Sequence, residues 1–189
     1  MRMTKDIFNI KNKVFVITGG MGQLGQVYLN EIQSQGGRVV ILDILDNKNS
    51  QVSELINKNE EENFLYISTD VTHKETIESA VKTILNHWNR IDVLINNAAL
   101  DSPPDAPEEE VGPFEDYPEV SFDQVMNVNV KGTFLCCQVI GKAMVQQKCG
   151  VIINISSIYG LVSPRQDVYD FRRKDSKTYY KPVAYSISK

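Results

Sequence analysis

Five short apolar runs, rich in β-branched residues, alternate with stretches of helical periodicity, and this alternation is the strongest constraint on the fold. The runs are KVFVIT (13–18), RVVILD (38–43), FLYIST (64–69), IDVLIN (91–96) and GVIINIS (150–156). They are continuously apolar, as strands buried on both faces are. Between them lie QLGQVYLNEIQSQGG (23–37), a polar helical stretch over 50–60, HKETIESAVKTILNHW (73–88) and a long, mostly apolar stretch over 122–148. In the third of these, Ile77, Val81, Ile84, Leu85 and Trp88 share one stripe, which predicts an amphipathic helix. Strand alternating with helix predicts a parallel sheet covered on both faces.

Right-handed crossovers make this an α/β, doubly wound, Rossmann-like sheet. The link from first strand to first helix is TGGMGQLG (18–25), in which Gly19, Gly22 and Gly25 recur every third residue. The chain must turn tightly there, bring bare backbone to a diphosphate and pack a helix against a strand, and each task favours glycine. The N–H groups of the helix start, around Gln23 and Leu24, then face the phosphates. A dinucleotide is therefore expected. Asp43 closes the second strand, 18 residues after Gly25. A carboxylate there accepts hydrogen bonds from both adenine-ribose hydroxyls and repels a 2′-phosphate, so NAD is favoured over NADP.

At 189 residues, 42% of them apolar, the chain is expected to form a single dinucleotide-binding domain over 1–189. A formal net charge of −4 argues against nucleic acid and anionic membranes as partners. No apolar run approaches the length of a bilayer span, and MRMTKDIFNIKNK lacks an apolar signal core, so a cytoplasmic protein is expected. Cys136, Cys137 and Cys149 lack metal-ligand spacing and read as reduced thiols, the first two on a buried helix face. No metal site is expected. His73 and His87 read as surface residues. Two stretches break the rhythm: 100–121, rich in proline and acidic residues, and 163–182, rich in tyrosine and basic residues. Both follow strand carboxyl ends, where open α/β sheets bind ligands, and they are expected to wall a substrate pocket.

YSISK (185–189) places Tyr185 and Lys189 one helical turn apart on one face. A free tyrosine is a poor base at neutral pH, and a neighbouring cation favours its phenolate. With the glycine loop, NNAA (96–99), NVNVKG (127–132), INISS (153–157) and YSISK in this order, the sequence resembles the short-chain dehydrogenase/reductase family over residues 11–189. The resemblance implies a catalytic tetrad of Asn129, Ser157, Tyr185 and Lys189. It implies a cofactor site at Gly19, Gly22, Gln23, Leu24, Gly25 and Asp43, with Asp70 and Val71 near the adenine and Asn97, Ala98 and Ala99 along the cofactor. Tyr185 and Lys189 complete that site, with Lys189 holding the nicotinamide ribose. In these roles Tyr185 exchanges a proton with the substrate oxygen, Ser157 hydrogen-bonds it, and Asn129 holds a water for proton exchange with solvent.

The implied activity is NAD-dependent hydride transfer between nicotinamide and the alcohol or carbonyl group of a small-molecule substrate. The alternatives are an epimerase or dehydratase that retains its NAD, and a non-catalytic dinucleotide-binding module. Gln23 stands where the commoner subgroup has a middle glycine, and 28 residues separate Ser157 from Tyr185, more than is usual. The mixed loop and the VSPRQDVYDF insert are similar to oxidoreductases of bacterial flagellin-glycosylation and nonulosonic-acid sugar pathways. An amino sugar or nucleotide sugar is the expected substrate, gripped by Arg165, Arg172, Arg173 and the tyrosines of the insert. Members usually extend beyond the Tyr185 helix by further strands. The expectation is therefore an N-terminal portion of a longer domain, lacking its C-terminal strands and inactive alone, with a homodimer or homotetramer at full length.

Overall fold

The computed structural model describes residues 8–59, 62–102, 107–172 and 179–189. The chain divides into two compact units, one of residues up to Asn97 with Leu135–Asn154, the other of Ala98–Phe134 with Ile155–Lys189.

The first unit is built on a parallel sheet of β1 (Val14–Thr18), β2 (Arg38–Asp43), β3 (Phe64–Ser68), β4 (Val93–Asn96) and β5 (Val151–Asn154). The spatial order is β3-β2-β1-β4-β5, so the winding reverses beside β1, the switch point at which this architecture binds ligands. Every residue of β1 is buried, as a central strand covered on both faces requires. The helices are α1 (Gln23–Ser34), α2 (Ser50–Lys58), α3 (Lys74–Trp88) and most of α5 (Thr133–Gln146). α3 buries Ile77, Ala80, Val81 and Ile84, while Leu85 and Trp88 are half-buried. A fully buried isoleucine or valine contributes roughly 1.5–3 kcal/mol, the alanine less.

Asp92 lies just before β4, where IDVLIN predicts strand; its side chain fastens the amino end of the sheet instead. It is 5% exposed and accepts hydrogen bonds from Val14 N at 2.9 Å, Arg90 Nε at 2.8 Å and Lys13 Nζ at 3.3 Å. Burial opposes its charge, but the Arg90 and Val14 hydrogen bonds and the two cations outweigh it and lower its pKa. The two edge strands differ. Phe64 of β3 is buried, whereas Val151, Ile152 and Ile153 of β5 are 55%, 40% and 42% exposed.

The second unit holds α4 (Glu119–Met126), short 3-10 turns and α6 (Val183–Ser188). The stretch expected as one helix over 122–148 begins at Glu119 and ends at Gln146, and a π-helical segment over Asn127–Gly132 separates α4 from α5. A π turn inserts an extra residue into a helix, and such insertions concentrate at functional sites. Here it carries Asn129, which is 5% exposed. Among the described residues no helix is long and apolar enough to cross a membrane, and no cluster of three or more His, Cys, Asp or Glu could hold a metal ion.

Candidate active site

In the first unit the chain leaves β1 at the buried Thr18 and turns at Gly19, whose φ of +62° lies in the left-handed region. That conformation costs a side-chain-bearing residue roughly 1–2 kcal/mol. A Cβ on Gly25 would lie 2.5 Å from both Cα and O of Gly20, so α1 approaches the loop more closely than any side chain permits. Gly22 is the N-cap of α1 and supplies no side-chain cap, while Gln23 and Leu24 open the helix exposed to solvent. The first N–H groups of α1 are thus left to an outside acceptor, and this donor set fits a diphosphate.

Two side chains brace the loop. Asp43 Oδ2 accepts a hydrogen bond from Met21 N at 2.9 Å, and its Oδ1 a longer one from Leu45 N at 3.4 Å. Asn97 N donates to Thr18 Oγ1 at 3.0 Å, and Asn97 Nδ2 to the carbonyls of Thr18 and Gly19 at 3.1 and 3.0 Å. Asp70 accepts from Thr72 N at 2.8 Å and Thr72 Oγ1 at 2.7 Å, and its other oxygen lies 3.1 Å from His73 Nδ1. Burial opposes the Asp70 charge, yet these bonds outweigh it and lower its pKa. Val71 beside it is buried. Ala98 and Ala99 follow Asn97 in the chain and belong to the second unit.

In the second unit α6 carries Tyr185, half-buried, with Lys189 Nζ 5.8 Å from the centroid of its ring. Lys189 is anchored at both ends: Nζ donates to Ile155 O at 3.0 Å, and its carbonyl accepts from Ser156 Oγ at 2.9 Å. Burial lowers the Lys189 pKa, because desolvation disfavours the ammonium. Ser157 is half-buried and opens the Ile158–Gly160 turn, its Oγ accepting from Tyr159 N at 3.2 Å.

Asn129 is a clamp. Its Oδ1 accepts from Leu100 N at 2.7 Å, and its Nδ2 donates to Leu100 O at 2.9 Å and Ser188 Oγ at 2.8 Å. Ser188 Oγ in turn donates to Tyr185 O at 2.8 Å. Both amide protons of Asn129 are therefore engaged, and the carboxamide ties the Leu100 loop to the Tyr185 helix. A water expected on this residue would have to use another of its atoms.

A parallel sheet of this order with a glycine loop after its first strand has counterparts among known proteins. The family described as short chain dehydrogenase matches residues 13–169. The chain belongs to the short-chain dehydrogenase family. Sorbitol-6-phosphate 2-dehydrogenase of Klebsiella pneumoniae is 32% identical over 155 residues, which are 81% of this chain and 55% of that protein. Among solved structures, NAD+-bound xylitol dehydrogenase has a TM-score of 0.73 at 25% identity, over 95% of this chain and 60% of that one. ElxO with NADP bound gives 0.73 at 26% identity, over 94% and 62%. The chain spans about half the length of the curated relatives it matches.

Several residues around Tyr185 and Lys189 escape sequence reasoning. A Cβ on Gly160 would lie 2.3 Å from the carbonyl carbon of Lys189, so that glycine admits the end of α6. Ser188 links Asn129 to Tyr185. Lys181 pairs with Asp101, 80 positions away, and holds its ammonium 5.1 Å from the Tyr185 ring centroid. A second lysine thus flanks the tyrosine. Arg165 is exposed and bound to Asp167, and Arg172 donates to Tyr179 Oη at 2.8 Å, so both make local contacts. Arg173 lies outside the described residues.

Proposed function

We propose that the protein is an NAD-dependent oxidoreductase that interconverts an alcohol and a carbonyl on a sugar-like substrate. The observation that carries this reading is Tyr185 on α6, with an anchored Lys189 ammonium 5.8 Å from its ring. Tyr185 takes the hydroxyl proton of an alcohol during oxidation and returns it to the carbonyl oxygen during reduction. Ser157 donates a hydrogen bond to the reacting oxygen and stabilises its charge. Asn129 positions Tyr185 through Ser188. Lys189 holds the ribose next to the nicotinamide.

The first N–H groups of α1 and the backbone at Gly19 and Gly22 hold the diphosphate, and Asp43 takes the adenine-ribose hydroxyls. Asp43 is the reason to favour NAD, since its carboxylate repels a 2′-phosphate. The bound nicotinamide supplies the hydride chemistry. A relative acting on sorbitol 6-phosphate and a structural neighbour acting on xylitol support a polyol or sugar substrate. Exposed Val120, Val130 and Phe134 offer an apolar face to a second copy.

The test is Tyr185→Phe in the full-length protein, assayed for turnover of a panel of sugars and polyols and for NADH binding. Turnover should fall by about 10²–10⁴-fold, the usual contribution of a general acid–base, while NADH still binds. Unchanged turnover would contradict the assignment. Net NADH accumulation separates an oxidoreductase from an enzyme that returns its hydride.

A further inference from the structure

Within the second unit, residues from 110–117, 159–166 and 180–187 line an open cavity of about 600 Å³. Its wall carries a carboxylate that the chemistry above leaves without a role. Glu110 is 2% exposed, although the two glutamates before it are exposed. Its oxygens accept hydrogen bonds from Tyr117 Oη at 3.0 Å and from Ser102 Oγ. Among the described residues no cation pairs with it.

Two neutral hydroxyls occupy about half of the acceptor positions that a carboxylate offers. Burying such a group without a counter-ion is costly, and a cation in the cavity would relieve that cost. The rest of the wall fits a cation as well. Phe114, Tyr159 and Tyr180 contribute aromatic rings, whose faces attract an ammonium. Glu115 adds a second carboxylate, and Lys181, the one lysine of the wall among the described residues, is already paired with Asp101. Among the described residues of the wall the carboxylates outnumber the lysine, which disfavours a phosphate. The walls are held in place: Tyr180 N donates to Val111 O at 2.8 Å, and Lys181 N to Gln166 Oε1 at 2.9 Å. Burial, reinforced by Glu110, pushes the Tyr117 phenol up, which keeps it a donor to the carboxylate.

We propose that this cavity selects a protonated amine on the substrate and that Glu110 is the specificity residue that receives it. The inference rests on the oxidoreductase reading and deepens it, because the same wall includes Lys181 and Ser186, which flank Tyr185 in space and in sequence. Ser186 Oγ is buried without a hydrogen-bond partner and offers a contact to a hydroxyl beside the amine. Glu110 makes and breaks no bond. It decides which molecule is held while Tyr185 reacts.

The probes are D-glucosamine, N-acetyl-D-glucosamine and D-glucose, titrated calorimetrically into the full-length protein with NAD present. Wild type should bind glucosamine about tenfold or more tighter than the two neutral sugars, the scale of one charged buried hydrogen bond. Glu110→Gln should erase that preference and Glu110→Asp retain part of it. The preference should also fade as pH rises through the titration of the sugar amine. Equal affinity of wild type for all three sugars, or a Glu110→Gln protein with the preference intact, would overturn the proposal. If Glu110→Gln does not fold, the wild-type comparison and its pH dependence decide alone. NADH titration of the same samples separates the two readings: normal NADH binding without amine preference rejects the role of Glu110 only, whereas loss of NADH binding rejects the oxidoreductase reading itself.

Discussion

The glycine loop of the first unit and the Tyr185 helix of the second each present a few atoms in fixed positions, and they are held by different means. The loop is fixed by backbone sterics, through a left-handed Gly19 and a Gly25 pressed against Gly20. It is braced by Asp43 and Asn97, which stand at the ends of β2 and β4. α6 has six residues and no side-chain cap, too little for a helix to persist unaided. It is held by the Asn129–Ser188 bond, the two anchors of Lys189 and the close approach of Gly160. Cofactor binding should therefore fail through backbone changes, and proton transfer through the loss of single hydrogen bonds.

The sharpest break is Gly25→Val. The atoms its side chain would meet are backbone and cannot rotate away, so the destabilisation should reach about 3 kcal/mol, the upper end of overpacking effects, with loss of NADH binding. Chemical denaturation and NADH fluorescence check both. Asn129→Ala makes the opposite cut. It should cost roughly 1–3 kcal/mol and lower kcat by about 10-fold or more while leaving the Kd for NADH nearly unchanged. A change confined to NADH affinity would reverse the assignment.

Two smaller effects concern pH. Asp92 has a lowered folded pKa, so its stabilisation is complete above the ordinary carboxylate range and is lost as pH falls through the folded value. Asp92→Ala leaves Val14 N without its acceptor and should cost about 1–3 kcal/mol at neutral pH, with the gap to wild type closing in acid. Thermal melts at several pH values measure it. Lys189 has the reverse sign: a lowered lysine pKa means a burial cost that is present at neutral pH and relieved as pH rises from the folded value to the ordinary lysine range. Wild type should gain slightly on Lys189→Met across that alkaline interval.

The sheet was legible in the sequence because buried parallel strands are written as unbroken apolar runs, and RVVILD coincides with β2 to the residue. The glycine loop was legible for a related reason, since its constraints are local. The order of motifs singles out Asn129, Ser157, Tyr185 and Lys189 as candidates, but says nothing of their bonds. The π turn at Asn129 was hidden because its apolar neighbours keep helical spacing through it. Glu110 was hidden in a run of three glutamates, of which only the third turns inward. Lys181 reaches Asp101 across 80 positions, and no local pattern reports such a pair.

The assignment of the first unit is tested most directly by fluorescence titration of the protein with NADH and, separately, with NADPH. NADH should bind, with NADPH weaker by about tenfold or more because Asp43 meets its 2′-phosphate. Equal binding of the two would remove Asp43 from its role. Binding of neither would contradict the reading of the glycine loop as a dinucleotide cradle.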